Sequence, residues 1–469
     1  MVTHFLKAAR PWRVVLVFGF ALSTLVARPA GAETPKTFAS TAGPMRLATF
    51  SCDVTPPLGQ PLIAGDRIRV VEQPLLAKGI VLEAGGRRYV LAAIDWCELN
   101  NGSHDSVVSA MAAAAGTEPC RVAVQTVHQH TAPVVDMDAQ ELLAGAGAAG
   151  LQLDPKVFQS IRGRLAEAVK ESLGRLTPFD RIGVGQAKVD RVAATRRPVD
   201  AEGKIAVRYS ACRDPAVRAL PEGTIDPYLK TISLGRGEKP LVRLHYYATH
   251  PQTSYGDGRA SSDMVGDARE ELQRKESVFQ VYFDGCGGDI TVGKYNDGSK
   301  SCRKALAGRL LAGMEASIAT TRWSPAVELR WRSVAASFPP RTDRGFSLAD
   351  SLACMTSGAA APSTRLCMGA ERAAYHRHAD RPIRLCSLEM GNVHILHLPG
   401  EPMVAFQLFA QRLRPDALVA VAGYGDCGTG YICPQRAFAE GGYEPTASNV
   451  KPESEALLKK AIAMLLGAD

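Results

Sequence analysis

Short runs of branched and aromatic residues, each closed off by Gly, Pro or Asn, alternate with helical patterns along almost all of this 469-residue chain. Strands are expected at 46–50, 76–83, 88–94, 121–126, 182–186, 231–234, 242–247, 278–283, 327–337, 383–390 and 393–398. Helices are expected at 103–115, 155–173, 264–275, 302–320, 403–414 and 453–466. This mixture implies an α/β fold, a large single layered domain with mixed β-sheets flanked by helices. No internal repeat is visible, and no break in composition marks a second globular domain. The stretch 341–381 is rich in Ala, Pro, Ser and Gly and reads as an irregular excursion over the core.

The first residues have a different logic. Lys7, Arg10 and Arg13 precede an apolar run from Val14 to Ala27, and Ala30-Gly31-Ala32 follows. That is the layout of a cleavable secretory signal, here 1–32, so the mature protein is expected in the periplasm or outside the cell. The apolar run falls well short of the roughly 20 residues that span a bilayer. Residues 33–44 read as a flexible lead-in to a domain covering 45–469.

The formal net charge of +8 is scattered, with no aromatic-studded basic stripe, which argues against nucleic acid and leaves room for transient contact with an anionic membrane surface. Eleven cysteines in an exported chain favour disulfides, with Cys354/Cys367 and Cys427/Cys433 close enough in sequence for local bridges. None of the spacings is CxxC, so a four-cysteine zinc site is not expected.

Four clusters of chemically capable residues sit where strands end. His128 and His130 flank Gln129 directly after a strand, and in extended chain both face one way. His250 heads His250-Pro251-Gln252-Thr253; a lone histidine there is either a hydrogen-bonded turn residue or a ligand. Glu401 in Pro399-Gly400-Glu401 either charges the first turn of the next helix or turns inward. Tyr431 and Tyr443 either pack or point a hydroxyl into a site. Together they place His, His, Glu and Tyr on loops at strand ends, where a rigid sheet delivers catalytic groups, and the donor set suits zinc. A fifth segment, Tyr282 to Ile290, runs into a glycine turn containing Cys286, Gly288 and Asp289, whose N–H groups could meet an oxyanion. It lacks the Lys-Ser/Thr of a P-loop.

Taken in order, these segments resemble the neutral, non-lysosomal ceramidase family. Thr55-Pro56-Pro57-Leu58-Gly59 is similar to its opening turn, His128 to Pro133 to its HTHSGP motif, and Thr195-Arg196-Arg197-Pro198 to its NRSP segment. His250-Pro251 with Ser262-Asp263 and Gly266 resembles its HPT and SGD/SAD segments, Gly288-Asp289 its GD turn, and Pro399-Gly400-Glu401 its PGE; Tyr431 and Tyr443 keep the spacing of its two tyrosines. The resemblance spans roughly Met45 to Ala447. It implies a ceramidase catalytic-domain-like fold and one zinc ion held by His128, His250, Glu401 and Tyr431. It further implies His130 as a near-metal proton carrier, Arg196 as a substrate-orienting cation, and Tyr443 as a polar contact over the reacting carbonyl.

The sequence also departs from the family. There is no serine between Asp284 and Asp289, Gln129 and Thr131-Ala132 replace motif residues, and too few residues follow Tyr443 for the family's C-terminal sandwich domain. The expected activity is zinc-dependent hydrolysis of an N-acyl amide in a small-molecule or lipid substrate. Alternatives are an ester, a lactone or a sugar-linked amide, or a non-catalytic binding protein on the same fold.

Overall fold

The computed structural model describes residues 31–40, 44–326, 328–356 and 362–468. The signal segment lies outside them apart from Gly31 and Ala32. Three five-stranded sheets share one plan. In the first, Met45–Asp53, Leu76–Ala84 and Arg87–Ile94 are successive antiparallel strands, and Val122–Thr126 adds to the last in parallel. In the second, Arg181–Lys188, Tyr228–Arg236 and Lys239–Tyr247 are antiparallel, and Phe279–Asp284 adds in parallel. In the third the same roles fall to Leu329–Ala336, Ile383–Met390, Val393–His397 and Leu418–Ala422.

Each parallel pair needs a crossover, and a helix supplies it in each case: Asn101–Ala115, Asp263–Glu276 and Val404–Leu413. A second helix then packs on each sheet's first strand: Pro155–Ser172, Lys300–Ala319 and Ser454–Leu466. The architecture therefore repeats three times although the sequence shows no repeat. Topology needs only strand-forming and helix-forming patterns in the same order, which unrelated side chains can supply.

The fifth strand of each sheet explains a departure from expectation. Thr177–Phe179 and Arg322–Pro325 pair with the first strands of their own sheets. In the third sheet this edge is taken by Lys36–Ser40, which pairs antiparallel with Leu329–Ala336. The stretch expected to be a flexible lead-in thus contains a strand, because the open edge of Leu329–Ala336 offers it a ladder of unpaired backbone groups. The excursion 341–381 also proves ordered in large part, with helices Leu348–Met355 and Ser363–Arg377. The second buries Gly369, Ala370, Ala373 and Ala374 alongside Leu366, Cys367, Arg372 and Tyr375, so half of its buried residues are Gly or Ala. A Cβ on Gly369 would come within 2.8 Å of Cys354 Cβ, so the two helices meet only because that residue has none.

The central core joins all three sheets, with Leu82 and Leu91 of the first meeting Ile232 and Leu244 of the second and Trp331 and Leu388 of the third. Among the described residues no helix is long and apolar enough to cross a membrane. All eleven cysteines are unbridged, including the two pairs expected to be local disulfides.

A buried ion pair ties the first sheet to the second. Asp95, just past the end of Arg87–Ile94, accepts two hydrogen bonds from the Arg269 guanidinium, both at 2.8 Å, and one from Leu76 N at 2.9 Å. Asp95→Ala would leave Arg269 charged in a dry site and is expected to cost about 3–5 kcal/mol. Removing the exposed Arg274–Glu271 pair should cost less than about 1 kcal/mol, both read from chemical-denaturation midpoints.

Candidate active site

The parallel strands of all three sheets deliver their exits to one place, as is usual for ligand sites in α/β sheets. His128 and His130 follow Val122–Thr126, His250 follows Lys239–Tyr247, and Glu401 follows Val393–His397. His128 has a φ of +67°, a left-handed conformation that a non-glycine residue rarely adopts, so its direction comes from a turn rather than from strand alternation. His128 Nε2 and His250 Nε2 lie 3.0 Å apart, with Glu401 Oε2 3.0 Å from the first and 3.6 Å from the second. All three side chains are buried.

The outer nitrogens fix the tautomers. His128 Nδ1 donates to Cys97 O at 2.8 Å and His250 Nδ1 to Gly287 O at 3.1 Å, which leaves both Nε2 atoms as bare acceptors. Glu401 Oε2 meets no donor in hydrogen-bonding geometry. A proton on His128 would serve one of these contacts; a metal ion serves all three. The separations suit ligands around one tetrahedral ion, whose donor atoms stand roughly 3.4 Å apart. A second group, Cys97, His128 and His130, is also compact. It fits worse, because its sulfur approaches the His128 Nδ1 already committed to a carbonyl, and burial pushes the Cys97 thiol well up.

His130 stands perpendicular to His128 with ring centroids 5.0 Å apart, and neither of its nitrogens has a partner. Burial, then His128 and Arg196, hold it well below the usual histidine range, so the ring is neutral. Glu401 and Tyr431 are register partners in a two-residue parallel ladder. Arg196 donates to the Tyr431 hydroxyl at 2.8 Å, and its guanidinium lies 5.5 Å from the Tyr443 ring centre. Tyr431 and Tyr443 meet edge-on at 5.7 Å, and burial pushes Tyr443 up to about 12. A cavity of about 190 Å³ opens onto this cluster, lined by His128, His130, Glu401, Tyr431 and Tyr443 among others.

The structure places Arg196 and the glycine turn otherwise than expected. Arg196 is 3% exposed and donates to the Tyr431 oxygen, so it stands behind that phenol and not in the cavity wall. The glycine turn lies behind Glu401 rather than in the cavity wall. Gly288 N donates to Pro402 O, Gly287 N to Gly285 O and Cys286 N to Gln407 Oε1, so these N–H groups are spent and form no oxyanion hole. A Cβ on Gly288 would lie 2.6 Å from Glu401 O, and the Asp289 carboxylate accepts from Val404 N at 2.7 Å, which makes both residues buttresses of the Glu401 loop. Cys286 is fully buried in an apolar cluster and its thiol is pushed well up by burial, then by Asp289 and Asp284, so it has no thiolate character.

Some residues at the site went unread in the sequence. Tyr424 stacks on His128 with centroids 4.3 Å apart. Its φ of +59° gives no signal in sequence. Glu98, Asn100 and Glu371 line the cavity. Glu98 and Asn100 do carry a trace, as polar residues at the exit of an apolar strand, but Glu371 lies in the stretch that reads as irregular.

No family model and no curated protein matches the sequence. Among solved structures, neutral ceramidase from Pseudomonas aeruginosa superposes with a TM-score of 0.67 at 15% identity, over 91% of this chain and 74% of that one. A ceramidase complexed with C2 gives 0.66 at 13% identity, over 90% and 75%. With about nine-tenths of the chain superposed at these scores, the chain has the fold of the neutral ceramidases.

Proposed function

We propose that this chain is an exported zinc-dependent hydrolase that cleaves the N-acyl amide bond of a small-molecule or lipid substrate. The observation that carries the reading is the meeting of His128 Nε2, His250 Nε2 and Glu401 Oε2, three buried acceptors without a donor among them, beside a cavity that His128 and Glu401 line. The likeness to structures titled as ceramidases supports the choice of an amide.

His128, His250 and Glu401 would hold the ion, with Tyr431 as a weak fourth ligand. Zinc held there would supply Lewis acidity toward an acyl carbonyl and a water. The remaining work belongs to the chain. His130, neutral and with both nitrogens free, takes a proton and passes it to the departing nitrogen. Tyr431 is kept as a phenol, because burial outweighs the pull of Arg196. A guanidinium can only donate, so with Arg196 bonded to its oxygen the phenol proton must point elsewhere, and the cavity is the open side. There it meets a carbonyl oxygen as negative charge builds, and Tyr443 adds a second polar contact. Turnover of matched acyl amides against esters is the direct test; cleavage of esters alone would reject the amide reading.

Metal analysis after dialysis against zinc should find about one ion per chain in the wild type and little in His250→Ala. Equal metal content would reject His250 as a ligand. Tyr431→Phe should lower kcat by roughly a hundredfold while KM and zinc content change little, the mark of an interaction made only in the transition state. Loss of zinc in that variant would make Tyr431 a structural ligand instead. Cys286→Ala should keep most activity, since its thiol is buried and protonated; an acyl group trapped on Cys286 by mass spectrometry would reject attack by water.

A further inference from the structure

The cavity has a second polar wall that the hydrolytic steps do not use. Glu98 stands beyond the first sheet's strand Arg87–Ile94, and Glu371 comes from the helix Ser363–Arg377. Both face the cavity, as does Asn100. Asn100 Nδ2 donates to Glu98 Oε2 at 3.1 Å, and Gln152 Nε2 donates to Glu371 Oε1 at 2.8 Å. Asn100 is 2% exposed, and its Oδ1 has no partner. What this wall presents is therefore acceptors, since the Asn100 donor is already spent on Glu98.

The cations nearby are committed elsewhere. Arg372 also borders the cavity, but it donates to Gly345 O at 2.6 Å and lies over the Phe346 ring at 4.2 Å. Arg196 is bonded to Tyr431. Like-signed groups crowd the two carboxylates. Burial, Glu98 and Asp136 push Glu371 well up, with Gln152 and Arg372 opposing. Such a pair resists double ionisation until a positive charge arrives between its members. An ammonium brings that charge and three N–H donors to three acceptor side chains, whereas a polyol brings donors and leaves the repulsion in place. The cavity, about 190 Å³, has room for a compact charged head group beside the acceptor cluster.

We infer that Glu98, Asn100 and Glu371 form a subsite for a protonated amine, and that the substrate is a small N-acyl amide bearing a separate basic nitrogen. The inference rests on the amide-hydrolase reading for its chemistry and on this wall for its recognition.

The test compares N-acetylputrescine with its terminal-alcohol analogue and with N-pentylacetamide, using the zinc-loaded full chain. The cationic amide should have a kcat/KM at least about tenfold above both neutral ones, as one charge-assisted contact would give. In Glu98→Gln and in Glu371→Gln, each checked for an unchanged melting temperature, that ratio should fall toward one. Equal rates for all three amides in the wild type, or a preference for the alcohol, would overturn the subsite and leave the hydrolase reading standing. If none is cleaved, calorimetry with free putrescine decides. Binding weakened at least about tenfold by Glu371→Gln upholds the subsite while the hydrolase reading falls; absence of binding overturns both.

Discussion

Three acceptor atoms within 3.6 Å of one another, all buried, form an arrangement that repels itself. Much of the surrounding structure serves to hold them in place. Each comes from a different sheet, so the three sheets must be locked where their strands end. Gln125, the penultimate residue of its strand, donates to the carbonyls of Leu398 and Gly423 in the third sheet's exits. Thr126 N donates to Tyr424 O, Gly423 N to Asp284 O and Gly288 N to Pro402 O. Thr249 N, next to His250, donates to Asp284 Oδ1 at 3.1 Å. All but the last of these bonds run between sheets, and together with the Asp95–Arg269 pair they fix the separation of the three acceptors. Preorganisation of this kind keeps side chains in place against their own repulsion and makes binding of a metal cost little rearrangement.

The same constraint explains which parts were legible in the sequence. Interior strands such as Ile383–Met390 and Lys239–Tyr247 are dense in branched or aromatic residues because they are covered on both faces, and they were readable almost to their ends. The positions of the acceptor cluster were readable as well, since His128, His250 and Glu401 are polar residues stranded at the exits of apolar runs. Lys36–Ser40 was not, because an edge strand one face of which meets solvent needs no apolar signature, and its partner lies almost 300 residues away. Helix Ser363–Arg377 was hidden for a related reason: it packs through Gly and Ala, which carry little hydrophobic signal. The roles of Arg196 and the glycine turn could not be read at all. Whether an N–H or a guanidinium is free depends on which acceptor the fold brings beside it, and nothing local encodes that.

The three-fold plan divides labour within the site. Strand exits carry the groups that would bind metal, and their geometry is set by sheet packing. The connections between the first and second strands of each sheet, 54–75, 189–227 and 337–382, carry much of what surrounds them. The first supplies Ile63 and Ala64 to the cavity, the second supplies Arg196 behind Tyr431, and the third supplies Thr364, Met368, Glu371 and Arg372. Because such a connection begins and ends within one antiparallel pair, it can lengthen or change composition without disturbing the ladder beneath it. The chain shares a fold with the ceramidases at 15% identity, and a fold held by its sheets leaves such connections free to vary. Glu371 illustrates the separation. It stands on a helix that belongs to no sheet, yet its carboxylate lines the cavity that His128 and Glu401 line from the strands. The part of the cavity wall that Glu371 supplies is therefore a property of a connection, and it can change while the acceptor cluster and its lock stay as they are.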